Sequence, residues 1–161
     1  MKKNIINIGK EVINIENKGL KILAKSINNN FVKAIEILKK TKGRIILTGI
    51  GKSCIIANKI SSTLSSTGSP SQFIHPSEAS HGDLGMLSRK DSIVALTFSG
   101  KTNELNDIFF YSKKNKIPLI IITSKSSSNL KQVAKVCIEL SNLKEACPLG
   151  LTPTTSTTAM I

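Results

Sequence analysis

The sequence predicts an α/β fold in which helices cover both faces of a parallel sheet. Three observations carry this reading. Behind a helical N-terminal stretch, five short apolar runs follow at Arg44–Thr48, Ser71–His75, Ser92–Thr97, Pro118–Ser124 and Val136–Leu140. Helix-length segments separate most of them, near Ser53–Thr67, Thr102–Asn115 and Ser127–Ala134. Several runs, "IILT" and "LIIIT" among them, are apolar throughout, as strands buried on both faces are.

The first helix is read in "KEVINIENKGLKILAKSINN", which spaces Val12, Ile15, Leu20, Leu23 and Ile27 for one apolar face. The second, "FVKAIEILKK", does the same with Phe31, Ala34, Ile35 and Leu38. Gly43 breaks the pattern, so residues 1–40 read as helices packing on a domain of residues 41–161. The first strand then runs into "GIGKS", the second into "HPSEASHGD", the third into "TFSGKTNE" and the last into "SNLKEACPLG". "KSSSNL" reads as a loop ending in a serine cap. Ligands of open parallel sheets bind beyond the carboxyl ends of the strands, where these four polar segments converge.

Composition narrows the function classes. A chain of 161 residues suits one domain with a sizeable core. The formal net charge of +13 invites a nucleic-acid partner, yet the cations are spread along the chain and only five Phe and one Tyr could stack bases. No nucleic-acid partner is expected, although a basic domain would draw a phosphorylated substrate toward it. No apolar run has the length of a membrane span or of a signal peptide, so a cytoplasmic protein without a membrane partner is expected. Cys54, Cys137 and Cys147 are odd in number and lack paired metal-ligand spacing, so they read as reduced thiols.

The stretch "RIILTGIGKSC" ends in a glycine loop with one lysine. A nucleotide P-loop needs glycine where Ile46 stands, and a dinucleotide fingerprint needs its third glycine where Cys54 stands. What remains is an anion cradle of backbone N–H groups at Gly51, the Ser53 hydroxyl and the start of a helix, with Lys52 beside them. "TFSGKTNE" offers a second such loop, with hydroxyls at Thr97, Ser99 and Thr102. Ordinary helix capping by Ser99 or Thr102 explains the same residues, and Glu104 can simply complement a helix dipole. Glu145 in "KEACPLGLTPTTSTT" is by default a surface carboxylate. "HPSEASHGDLG" holds both histidines, His75 and His81, which can bind a metal, transfer protons, or serve only as loop residues.

Taken together, "GIGKS", "STGSPSQFIHPSEASHGDLGML", "SGKTNEL" and "KEACPLGLTPTTSTTA" resemble the sugar-isomerase (SIS) domain of D-arabinose 5-phosphate isomerases, from about Gly9 onward. The resemblance implies a three-layer αβα sandwich, flavodoxin-like, around a five-stranded parallel sheet, assembled as a homo-oligomer, usually a tetramer. It implies interconversion of D-arabinose 5-phosphate and D-ribulose 5-phosphate, for the Kdo sugar of lipopolysaccharide. By motif, Lys52, Glu104 and Glu145 take the catalytic positions. His81, the pair Gly68 and Ser69, and His75 take substrate-side positions, and His75 can also hold zinc, an inhibitor of enzymes that require no cofactor.

Residue chemistry agrees with that reading. Moving a proton between C2 and C1 through an enediolate needs a carboxylate base and a cation or donor at the oxygens. Glu104 or Glu145 can be the base, Lys52 the stabiliser, and the loop of Ser99 and Thr102 the phosphate seat. Cys54 and Lys101 depart from the family's pattern, the one tightening the loop and the other adding charge near the seat. The family continues past "STTA" to a further histidine and paired CBS domains, so Ile161 reads as a point about one turn into a helix of a truncated domain. A non-catalytic phosphosugar-binding module is the alternative reading.

Overall fold

The computed structural model describes residues 2–140 and 143–161, with side chains from Asn4 onward. Two helices open the chain, α1 (Lys2–Ser26) and α2 (Asn29–Lys40). Then come β1 (Ile45–Gly49), α3 (Lys52–Ser66), β2 (Ser71–Phe73), α4 (Pro76–Ser80), β3 (Ser92–Leu96) and α5 (Asn106–Asn115). The remaining elements are β4 (Leu119–Thr123), α6 (Ser128–Val133), β5 (Val136–Glu139) and α7 (Thr155–Met160). Single 3-10 turns stand at Asp83–Met86 and Asn103–Leu105. All five expected strands are present: β1 is shifted by one residue, from Arg44–Thr48 to Ile45–Gly49, and the other four are trimmed by one or two residues. Ser141 and Asn142, which begin the polar segment expected after the last strand, lie outside the described residues.

The sheet is parallel throughout, in the order β2-β1-β3-β4-β5. Because side chains alternate along a strand, apolar strands feed two cores at once. Ile46, Ile93, Ala95, Leu119 and Ile121 point to one face, where Ile108 and Phe109 of α5 and Leu130 of α6 cover them. Ile45, Leu47, Val94, Leu96 and Ile120 point to the other, against Ala34 of α2, Ala57 of α3 and Met160 of α7. The result is the three-layer sandwich.

At the amino edge, the strands are pinned by one buried carboxylate. Asp91 accepts from the Arg44 N–H at 2.7 Å and the Ser88 N–H at 2.7 Å, so the entries of β1 and β3 share one anchor. At the carboxyl edge the strand order reverses between β1 and β3. The helix after β1 lies on one face and the helix after β3 on the other. That reversal opens the crevice in which doubly wound sheets bind ligands.

The N-terminal helices differ from expectation in length and facing. α1 starts at Lys2 rather than near Lys10, and its apolar residues do not form one buried stripe. Ile15 and Leu23 are half-buried, whereas Val12, Leu20 and Ile27 are exposed. The reason is that α1 touches the body chiefly through α7. Gly19 is buried there, and Glu16 accepts from the Thr155 hydroxyl at 2.8 Å. A Cβ on Gly19 would collide with Thr155 Cγ2, so the two helices touch where only glycine fits. Gly19→Ala should therefore destabilise the fold by about 1–3 kcal/mol, the cost of overpacking, read as a lowered Tm in thermal unfolding.

Candidate functional site

The loop after β1 is shaped by glycine. A Cβ at Gly49 would meet the Ser53 carbonyl at 3.0 Å and the Leu96 carbonyl oxygen at 3.1 Å, so β1 and β3 close tightly at this point. Gly51 sits at φ +62°, a conformation other residues rarely adopt, and it begins α3 without any side-chain cap. The Cys54 N–H donates to the Gly51 carbonyl at 3.1 Å, so the Lys52 and Ser53 N–H groups are the ones left for an anion, with the Ser53 hydroxyl and the exposed Lys52 side chain beside them.

The loop after β3 is held from the neighbouring strand. The Phe98 carbonyl accepts from the Ser124 N–H at 2.9 Å, the Ser124 hydroxyl at 2.6 Å and the Thr123 hydroxyl at 3.3 Å. The Ser99 hydroxyl accepts from the Lys101 N–H at 3.2 Å. Thr97 is buried, and its hydroxyl shares a 2.8 Å hydrogen bond with that of Thr102. Thr97 therefore orients Thr102 and opens toward a neighbouring polar cavity of about 350 Å³ that the two threonines share.

The third side comes from the end of the chain. Glu145 Oε2 accepts from the Thr154 N–H at 2.7 Å, the Thr154 hydroxyl at 2.9 Å and the Ser156 N–H at 3.3 Å. Burial pushes this carboxyl up, but hydrogen bonds from Ser156 and Thr154 outweigh it and hold the group below its ordinary value. Lys52, Ser53, Ser99, Thr102 and Glu145 line one cavity of about 370 Å³ at the switch point of the sheet. A cation, hydroxyls of an anion seat and an ionised carboxylate thus share one space.

Other residues singled out by sequence lie outside that cavity. Glu104 is exposed on the turn before α5 and lines neither cavity. His75 caps α4, its Nδ1 accepting from the Ser77 N–H at 3.3 Å, and His81 is exposed at the end of the same helix. Gly68 and Ser69 end α3 at the opposite, amino edge of the sheet, where their N–H groups donate to Ser65 and Leu64. Their local task in one chain is helix termination. Among the described residues no three His, Cys, Asp or Glu side chains gather as metal ligands. His75 offers a single free imidazole nitrogen where zinc takes four donors, so these residues of one chain do not fit the ion.

Two residues that sequence reading passed over are Thr154 and Ser156, which hold Glu145. Their signal was the Thr/Ser run itself, read only as a helix start. A more apolar groove of about 200 Å³ lies below the α1–α2 corner, lined by Leu23, Ile27, Phe31, Ile138 and Met160, and has no charged side chain.

A parallel sheet of order 2-1-3-4-5 with an anion cradle at its switch point places the chain among the flavodoxin-like doubly wound proteins. The family model of the SIS domain matches residues 37–161, and the chain belongs to that family. Arabinose 5-phosphate isomerases from Escherichia coli K12 and Shigella flexneri are each 44% identical to it over 153 residues, 95% of this chain. The chain spans about half of those relatives, 47% of their length. A solved structure from Escherichia coli CFT073, in complex with arabinose 5-phosphate, superposes with a TM-score of 0.91 at 34% identity, covering 99% of this chain and 85% of that one.

The loop that walls the cavity also carries a distinctive thiol. The Thr152 side chain and the N–H groups of Thr152, Leu151 and Leu149 hold Cys147 down to about 6, whereas burial first and Glu139 second push Cys137 up. Alkylation by iodoacetamide should therefore label Cys147 well before Cys137. Its rate should rise through about pH 6 and level off by neutral pH, instead of rising through the ordinary thiol range near ~8.5. Peptide mapping after timed labelling checks this, and denaturation should erase the difference.

Proposed function

We propose that this chain is an aldose–ketose isomerase that interconverts D-arabinose 5-phosphate and D-ribulose 5-phosphate, serving synthesis of the Kdo sugar of lipopolysaccharide. One observation carries the reading: Lys52, the Ser53–Ser99–Thr102 hydroxyls and Glu145 line a single cavity at the switch point. The names of the 44%-identical relatives support the choice of sugar.

In this reading the 5-phosphate sits against the start of α3 and the hydroxyls of Ser53, Ser99 and Thr102. Binding energy from that non-reacting group then positions C1 and C2 of the open-chain sugar. A glutamate, Glu104 or Glu145, takes the proton from C2, and its electron pair forms the C1=C2 bond of the enediolate. Lys52 stabilises the charge gathering on the oxygens. Transfer of the O2 proton to O1 and return of a proton to C1 then complete the ketose, and no cofactor enters the balance. Inhibition by zinc at His75 would need donors beyond the described residues of one chain. Gly68, Ser69, His75 and His81 would meet the substrate only through an assembly that brings another chain to the cavity.

That assembly, a homo-oligomer, is part of the proposal. Its support is the apolar surface of α1, where Ile5 and Ile13 are 63% and 67% exposed. Among the described residues no helix is long and apolar enough to cross a membrane, so this surface is read as a protein interface. A cytoplasmic location is proposed on the same ground as the substrate, a small phosphorylated metabolite.

The test is a coupled assay for ribulose 5-phosphate formed from arabinose 5-phosphate, run on this chain. Lys52→Ala should lower turnover about 10²–10³-fold, the size of a lost electrostatic stabiliser. Ser99→Ala should weaken binding of sugar 5-phosphates and of inorganic phosphate in calorimetry, whereas Glu104→Gln should leave phosphate binding unchanged. Binding of sugar 5-phosphates with no turnover would instead favour the phosphosugar-binding module. Sedimentation should show an oligomer, and a thermally robust monomer would remove the interface reading.

A further inference from the structure

Glu145 is one of two glutamates able to serve as the base, and its surroundings give it a second task. We propose that Glu145 is a latch that holds the outer wall of the cavity in place, whichever glutamate takes the C2 proton. The latch itself does not depend on the isomerase reading.

The wall consists of residues 146–153 and the first turn of α7. Gly150, Leu151, Thr152 and Pro153 line the cavity on this side, together with Ser156 and Thr157. The loop itself has little packing to hold it, since Leu149 and Leu151 are 77% and 80% exposed. Its internal hydrogen bonds are local, such as Gly150 N–H to the Cys147 carbonyl at 3.0 Å. What ties the two ends of the loop together is Glu145. Oε2 receives three donors from Thr154 and Ser156, and the Thr154 hydroxyl in turn accepts from the Ala146 N–H at 2.8 Å. The ring Ala146–Thr154–Glu145 closes the loop at its base.

The same contact replaces a missing cap. Thr154 precedes α7 but makes no side-chain cap bond of its own, because its hydroxyl is turned toward Glu145 and Ala146. Glu145 supplies the acceptor for the Ser156 N–H from outside the helix, and its negative charge suits that N-terminus. Three donors converge on Oε2 and favour the ionised carboxylate, so the hydrogen bonds from Ser156 and Thr154 outweigh burial and depress the group.

The experiment compares Glu145→Ala and Glu145→Gln in the full chain. Glutamine keeps an acceptor oxygen for the Thr154 and Ser156 amides and cannot act as a base; alanine keeps neither. In Glu145→Ala, amide hydrogen exchange at Thr154 and Ser156 should accelerate about tenfold, the size of a lost cap, and inorganic phosphate and arabinose 5-phosphate should bind more weakly. Glu145→Gln should restore slow exchange, because it keeps the acceptor oxygen. Wild-type exchange rates in Glu145→Ala would overturn the latch. So would a Glu145→Gln chain that exchanges as fast as Glu145→Ala. If the wild-type chain shows no turnover, the isomerase reading fails, and the exchange and phosphate-binding results alone decide the latch.

Discussion

Everything at the site follows from the reversal of strand order between β1 and β3. These neighbours are parallel and in register from Ile45↔Ser92 to Gly49↔Leu96, so their last residues arrive at the carboxyl edge side by side. The chain leaving β1 enters α3 on one face, and the chain leaving β3 reaches α5 on the other. Divergence of the two connections opens a crevice without any side chain having to be removed from the core. The first-turn amides of α3 and the Ser99–Thr102 hydroxyls flank it because they are the first groups past the strands.

The two sides of the crevice are built by different means. The sheet side is rigid: Gly49 admits no Cβ, and the Phe98 carbonyl is clamped by Ser124 and Thr123 from the next strand. The outer side is hung on hydrogen bonds from a loop with exposed leucines, through Glu145, Thr154 and Ser156. α1 braces that side from behind, with Gly19 against Thr155 and Glu16 on its hydroxyl. A change in α1 or in residues 143–156 therefore reaches the cavity, although α1 contributes no lining residue to it.

Charge acts here more through distribution than through pairing. The chain carries a formal net charge of +13, while the one ion pair among the described residues, Lys131 with Glu139 at 3.5 Å, is exposed and adds little to stability. Uncompensated cations repel one another and favour the approach of anions. Lys52, exposed at the mouth of the cradle, is the member of that set placed to act on a bound anion.

The sheet, its five strands and the two glycine loops were legible in the sequence by itself, because buried parallel strands need apolar residues on both faces and tight turns need glycine. The assignment of Lys52, Ser53, Ser99, Thr102 and Glu145 to one edge was legible for the same reason: each follows a strand. The sequence could not show which residues share a cavity, since that depends on strand order. Gly68 and Ser69 precede a strand and lie at the far edge, and Glu104 falls on a turn that directs it outward. Nor could periodicity decide how α1 faces the body, because its apolar residues surround most of the helix and the contact at Gly19 selects the buried side. Local chemistry determined the elements; long-range hydrogen bonds and the order of strands decided which of their groups meet.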